Sequence, residues 1–397
     1  MKMSNMNRNA LAVAVGAGLA AAPLVSAQAF EYAISGHINR SIVQLDNGDD
    51  SSVFHADNDS SSSRLRATGS GDFGSGKAGF TWEHQFESNS TAGLDLPNVS
   101  AGADSDSMRK AEVWMSYDWG KITIGQGSDA IDGITEVDLG GGAWAGGVYA
   151  YPVDMMAGVN WVDNNGVRLV SSGFTVSSAI TSFDGGRRDR VRYDSPALGP
   201  LSFAVSLANG DRLDASVRGS HEFGQVQFSW GLGISDSGDA GSTKTVTTAT
   251  GTKLEADDED PSVTVGSAAL KVGGFDFLVA FGELDRDICN VGAGCTGIVT
   301  GPGGNTSDPE HTYLAVGYTT PGGHHFRFGT GETTDLAGDD IDGEVTQIGW
   351  GYAPNKSVDV YASWTKAELD VPSVLLSPGV SVEDVTALQF GVRVKFK

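Results

Sequence analysis

Apolar and polar residues alternate with a period of two along most of the chain. Between Lys77 and Glu87, Ala78, Phe80, Trp82 and Phe86 fall on one face, opposite Lys77, Gly79, Thr81, Glu83, Gln85 and Glu87. Strict alternation over ten residues predicts a β-strand. The same pattern recurs from Arg190, from Leu213 and in the tail, where Leu388, Phe390, Val392, Val394 and Phe396 sit opposite Gln389, Gly391, Arg393 and Lys395. Sixteen such segments are predicted, at about 31–45, 62–71, 77–87, 108–118, 121–127, 188–196, 200–208, 212–223, 225–235, 261–272, 275–285, 309–320, 323–333, 343–353, 356–369 and 382–397. Their connections are of two kinds. One set is tight and Gly-rich, such as Gly273-Gly274 and Pro321-Gly322-Gly323; the other is long, polar and acidic, including residues 46–61, 88–107 and 128–187. Short turns at one end and long loops at the other describe an antiparallel meander, and an even strand count lets the last strand pair with the first, which removes free edges.

The polar face carries Arg, Lys, Glu and His where a soluble sandwich needs a core. The other face carries large aromatics, including Trp82, Tyr117, Trp119, Tyr193 and Phe396, several beside the short turns. Both features predict a transmembrane β-barrel: strands of about ten residues cross a bilayer when tilted, and aromatics gather at its interfaces. Parity predicts that His37, Asn39, Arg64, Arg66, Lys77, Glu83, Lys110, Glu112, Arg190, Arg192, Arg218, Arg327 and Arg393 face inward, and that Arg40 faces outward, near the rim or a subunit contact.

The amino terminus reads as a secretory signal. Lys2 and Arg8 precede an apolar, Ala-rich run from Ala10 to Val25, and Ala27-Gln28-Ala29 supplies small residues for cleavage between Ala29 and Phe30. The expected organisation is a signal peptide over 1–29 and one barrel domain over 30–397. The full chain has 397 residues and a formal net charge of −24; losing Lys2 and Arg8 takes the 26 bases to 24 against 50 acids, a net −26. So acidic a surface excludes nucleic acid as a partner. The two cysteines, Cys289 and Cys295, lie close together in a Gly-rich stretch of an exported chain. A small disulfide loop is the simplest reading, with free thiols or a metal site as the alternatives.

Other motifs carry little chemistry. Gly71–Ala78 nearly matches a phosphate-binding loop, but Ala78 replaces the hydroxyl residue and the segment joins two strands rather than a strand and a helix. None of the seven histidines forms a zinc-protease pattern, no serine elbow occurs, and no enzyme is expected. Acid runs such as Asp257–Asp260 and Asp339–Asp342 read as solvated loops that bind calcium at most loosely, so no cofactor is expected.

Several segments taken in order resemble Gram-negative general porins: SSSRLRATGSGDFGSGKAGFTWEHQF from Ser61, RKAEVWMSYDWGKITIGQ from Arg109, RDRVRYDSPALGPLSFAVSL from Arg188, AISGHIN from Ala33, and an aromatic final strand. The tail departs from the family in that Lys397 follows Phe396. The resemblance implies a sixteen-stranded multi-pass barrel in the outer membrane of a Gram-negative bacterium, assembled as a homotrimer among lipid and lipopolysaccharide. It also implies a third loop folded into the lumen. Residues 167–182 of that loop are a candidate for a further hairpin, which would make eighteen strands. The loop acids Asp129, Asp132, Glu136, Asp138 and Asp154 would then face a basic wall of Arg64, Arg66, Lys110, Arg190 and Arg192 across a constriction. The expected function is passive diffusion of small polar solutes and ions, with weak cation preference at low salt. A substrate-selective channel and a secreted acidic β-protein binding calcium or glycans are the alternatives.

Overall fold

A computed structural model of the chain describes residues 30–96, 105–140, 153–169, 174–236, 246–247, 253–254, 261–285 and 307–397. The first strands are β1 (Glu31–Asp46), β2 (Ser51–Asp57), β3 (Arg64–Phe73), β4 (Gly76–Glu87), β5 (Ser105–Tyr117) and β6 (Gly120–Ser128). After the third loop come β7 (Arg187–Asp194), β8 (Leu201–Ala208), β9 (Leu213–Phe223) and β10 (Val226–Asp236). A minor pair, β11 (Val246–Thr247) and β12 (Lys253–Leu254), stands apart in its own sheet. The remainder are β13 (Ser262–Val272), β14 (Phe275–Asp285), β15 (Glu310–Thr319), β16 (His324–Thr334), β17 (Asp342–Asn355), β18 (Val358–Asp370) and β19 (Val385–Phe396).

Apart from β2 and the minor pair, successive strands pair antiparallel around the barrel, β10 with β13 among them, and β1 closes the barrel on β19 from Gly36↔Phe396 to Asp46↔Thr386. The architecture is a closed sixteen-stranded barrel with one extra strand. That extra strand is β2, which lies within a stretch expected to be loop. Val53 points outward and Phe54 and Ala56 inward, a short alternation hidden among Ser, Asn and Asp. β2 and β3 share the second position: β3 pairs the first half of β1 and β2 its second half, and Asp59–Ser61 form a single 3₁₀ turn between them. Because β6 pairs directly with β7, the third loop contributes no barrel strand, and the count stays at sixteen. Of the described residues in 167–182, Arg168 and Thr175 form isolated bridges with Val162 and Asn160, and Val176–Ser178 form a short 3₁₀ turn.

Phe275, Phe277, Val279 and Phe281 on β14 alternate with the buried Asp276, Leu278 and Ala280, and β15 and β16 repeat the pattern with Leu314, Val316, Phe326 and Phe328 outward. A continuous exposed apolar band of this size suits hydrocarbon rather than water. At the short-turn end, rings of Tyr117, Trp119, Tyr193 and Phe203 follow one another at centroid distances of 5.4, 6.3 and 5.8 Å. The two-residue hairpins at Gly224-Gln225 and Gly273-Gly274 need a left-handed residue, and Gly224 (φ 64°) and Gly273 (φ 59°) supply it. The stretch Gly71–Ala78 is likewise a hairpin, turning between Phe73 and Gly76.

Candidate functional site

The described parts of the third loop, residues 129–140, 153–169 and 174–186, lie inside the barrel against its inner wall. The loop's two ends are stapled by Asp129, which is fully buried and accepts hydrogen bonds from the backbone N–H of Ile131 (3.2 Å), Asp132 (2.8 Å) and Gly186 (3.0 Å) and from Arg188 Nε (3.3 Å). Burial, with Asp214 close by, pushes its carboxyl above the usual range. From there the first limb crosses strand after strand of the inner wall. Ala130 N–H donates to Ser206 Oγ on β8, and Ser216 Oγ on β9 donates to Ala130 O. Ile131 and Ile134 sit over Gly233 and Gly231 of β10, where a side chain would collide or crowd. Ser267 Oγ on β13 donates to Ile134 O, and Val137 and Leu139 pack on Ala269, Leu278, Ala280, Tyr313 and Ala315.

Residues 153–169 and 174–182 form a second lobe that shares an apolar core with the barrel wall. Met155, Met156, Val159, Trp161, Phe174, Val176 and Ile180 pack with Val43, Leu45 and Phe54 and with Val345, Ala367, Leu369, Val385 and Ala387. Burial of so many large side chains makes the lobe a fixed plug rather than a loose loop. Its rim is tied down by Arg168 to Asp95 (2.7 Å), by Asn164 Nδ2 to Gly379 O (3.1 Å) and by Glu383 N–H to Val162 O (3.0 Å).

A chamber of about 940 Å³ remains between the loop and the wall formed by β3–β5 and the start of β7. Its lining includes Asp59, Asp132, Glu136, Asp154 and Asp184 and, among the bases, Arg64, Arg109 and Arg187. Asp184 accepts from the backbone N–H of Gly133 (2.6 Å), Ile134 (2.9 Å) and Thr135 (3.1 Å), so it shapes the turn that presents Asp132 and Glu136. Glu136 projects into the chamber. Loss of bulk water in this confined space, together with Asp184, Asp132 and Asp154, pushes its carboxyl well above the ordinary glutamate range, and burial raises Asp184 as well.

The basic wall is organised on Glu83, whose side chain is 1% exposed. Arg109 Nε lies 2.9 Å and Arg64 Nη1 3.5 Å from it, and Arg66 pairs with it too. Three guanidinium groups on one carboxylate leave a net positive wall.

Among the residues expected at a constriction, Asp132, Glu136, Asp154 and Arg64 come together in the chamber. Asp129 does not face it, and Asp138 pairs with the buried Arg327 elsewhere on the wall. Arg66 shares Glu83 with Arg64 and is the most exposed of the three arginines there, but does not line the chamber, and Lys110 lies opposite Glu83 in the β4–β5 register. Arg190 is buried against Glu112 (2.6 Å), Gly125 O and Ser128 O. Arg192 binds Asp194 and donates to Ser128 O and Asp129 O, holding the root of the loop. Sequence parity missed Arg109, because strict alternation with Lys110 turns it outward. A bulge between Glu83 and His84 opposite Met108 and Lys110 shifts the register and carries Arg109 onto Glu83. Arg187 and Asp184 were missed for another reason: they lie where the loop meets β7 and no periodicity applies. Cys289, Cys295 and Ala29 lie outside the described residues.

A family model described as Gram-negative porin matches residues 10–370. No curated protein matches the sequence. Among solved structures, an anion-selective porin from Comamonas acidovorans is similar at 16% identity and a TM-score of 0.60, covering 93% of this chain and 100% of that one. OmpF of Salmonella typhi, in complex with daunomycin, follows at 12% identity and a TM-score of 0.55, covering 92% of this chain and 97% of its own. OmpT of Vibrio cholerae in a trimer form shares 14% identity with a TM-score of 0.52, covering 93% and 100%. At these identities the likeness speaks for the fold; the family match, the closed barrel and its apolar outer band together make this chain a multi-pass outer-membrane channel without enzymatic activity, a member of the Gram-negative porin family.

Proposed function

We propose that small polar solutes and ions diffuse passively through this porin by way of the charged chamber, and that the chamber sets its selectivity. The observation that carries this reading is the division of charge across one chamber: Asp132, Glu136 and Asp154 on the loop side, Arg64, Arg109 and Arg187 on the wall. Opposed charges across a narrow space impose a transverse field that favours polar solutes over apolar ones of equal size. Five acids against three arginines leave the lining acidic at high pH, which supports a weak cation preference. Incorporation into liposomes with sugars of graded size tests it: swelling should be fast for small sugars and cut off sharply with size, without saturation. Saturable uptake of one solute would favour the substrate-selective alternative.

The finer partners belong to the same reading. Export follows removal of residues 1–29, leaving Phe30 first. The protein assembles as a homotrimer through the β1–β5 face, where Arg40 points outward between Ile38 and Ile42 and pairs with Asp57 at 2.6 Å, an ionic group that lipid accepts poorly. On the opposite side, Glu283 pairs across strands with Glu310, and Glu332 with Glu344, a row of like charges that repel one another. Divalent cations such as calcium, shared with lipopolysaccharide phosphates, would relieve that repulsion. Among the described residues no cluster is built to chelate a metal by itself. A small disulfide between Cys289 and Cys295 completes the proposal.

A further inference from the structure

The first limb of the third loop ends its crossing on β16. There Arg327, whose side chain is fully buried, pairs through Nη1 with Asp138 Oδ2. Among the described residues its Nε and Nη2 have no hydrogen-bond partner. Asp138 therefore supplies the counter-charge of a cation that is cut off from water. Next to it, His325 Nε2 lies 2.9 Å from Asp276 Oδ2, and Gly140 rests so closely on that pair that an added Cβ would stand 2.5 Å from Asp276 Oδ1. Lys271 Nζ donates to Leu139 O at 3.1 Å. The limb's other contacts are apolar packing at Ile131, Ile134, Val137 and Leu139, neutral hydrogen bonds to barrel serines, and charged groups on its backbone, with Asp184 accepting from Gly133, Ile134 and Thr135 N–H and Arg218 donating to Asp132 O and Gly133 O; none of these sets a side-chain charge of the limb against a fully buried arginine. Neither Arg327 nor Asp138 lines the chamber.

We propose that the Arg327–Asp138 pair is a buried latch that fixes the first limb across the lumen, making Arg327 a positioning residue for the chamber wall that carries Asp132 and Glu136. The inference rests on the porin reading and adds to it a residue that acts on permeation without meeting the permeant. Breaking one side of a buried pair leaves an uncompensated charge and is strongly unfavourable, whereas replacing both sides by apolar groups is often neutral. The two single substitutions should therefore act alike and the double substitution should cancel them. If Asp138 were instead a pore-lining charge, its loss and the loss of Arg327 would move ion selectivity in opposite directions.

The test compares full-length wild type, Asp138→Asn, Arg327→Met and the pair Asp138→Leu with Arg327→Met, by single-channel recording in planar bilayers with potassium chloride. Hydrogen–deuterium exchange of residues 129–140 in detergent provides a second readout that does not depend on conduction. Both single variants should show noisier open channels in the same sense and about tenfold or more loss of exchange protection over that limb. The double variant should be as quiet and as protected as wild type. Wild-type noise and protection in both singles would overturn the latch, as would opposite selectivity shifts that add in the double. A wild type that forms no pores would overturn the porin reading itself, and the exchange experiment would still judge the latch.

Discussion

Removing a single chamber charge gives the sharpest handle on selectivity. In Asp132→Asn the side chain keeps its size and loses its charge. A space of 940 Å³ has the volume of a sphere about 6 Å in radius, so an ion at its centre feels a lining charge with about 0.7 kcal/mol in a water-like dielectric. That energy is about a threefold change in occupancy, downward for cations and upward for anions, so the cation-to-anion permeability ratio should fall by three- to about tenfold. The Debye length is about 30 Å at 0.01 M salt and about 3 Å at 1 M, so the effect should be full at the low concentration and nearly vanish at the high one. Arg187→Gln should raise the ratio by a similar factor. Reversal potentials across a salt gradient measure both. An unchanged ratio at low salt, or a change that persists at 1 M, would refute the placement of these groups around the permeation path.

The raised carboxyl of Glu136 makes selectivity depend on pH. Its negative charge is present only above its elevated pKa and is lost as pH falls, so cation preference should decline well above the ~4.3 of an ordinary glutamate, and Glu136→Gln should remove that step from a reversal-potential titration. Gly233→Val places a side chain against Ile131, whose Cγ2 lies 2.7 Å from the position of a new Cβ; about 1–3 kcal/mol of destabilisation should appear as a lower melting temperature, while Gly186→Ala, with nothing within 4 Å, should melt like wild type. Mass spectrometry of unreduced digests should find Cys289 and Cys295 joined, about 2 Da lighter than the two thiols; full alkylation without reductant would contradict it.

The barrel was legible because its physics is periodic. A strand with lipid on one side and lumen on the other must alternate, and each of the sixteen predicted segments matches an observed strand to within three residues at either end. Tight turns were legible through glycine, as at Gly273-Gly274. The chamber was legible only in part. Arg64 followed from parity, but the bulge that brings in Arg109 arises from pairing between strands and leaves no mark in the sequence pattern of β5. The third loop has no period at all. Its acids look alike in sequence, yet Asp129 closes the loop's root, Asp138 meets a buried arginine and Asp132 faces the chamber, because their surroundings come from strands distant in sequence. The apolar residues of 153–182 were the overlooked signal: Met155, Met156 and Trp161 are too apolar for a solvated loop and required a core to enter.

Single-channel recording of the unmodified, purified protein in planar bilayers tests the central claim most directly. A water-filled passage through the chamber should give discrete, long-lived steps whose conductance scales with the conductivity of the bathing salt, and a weak cation preference at low salt that fades as salt rises. Conductance that saturates with salt, or anion preference at low salt, would contradict an open diffusion path governed by the acids of the third loop.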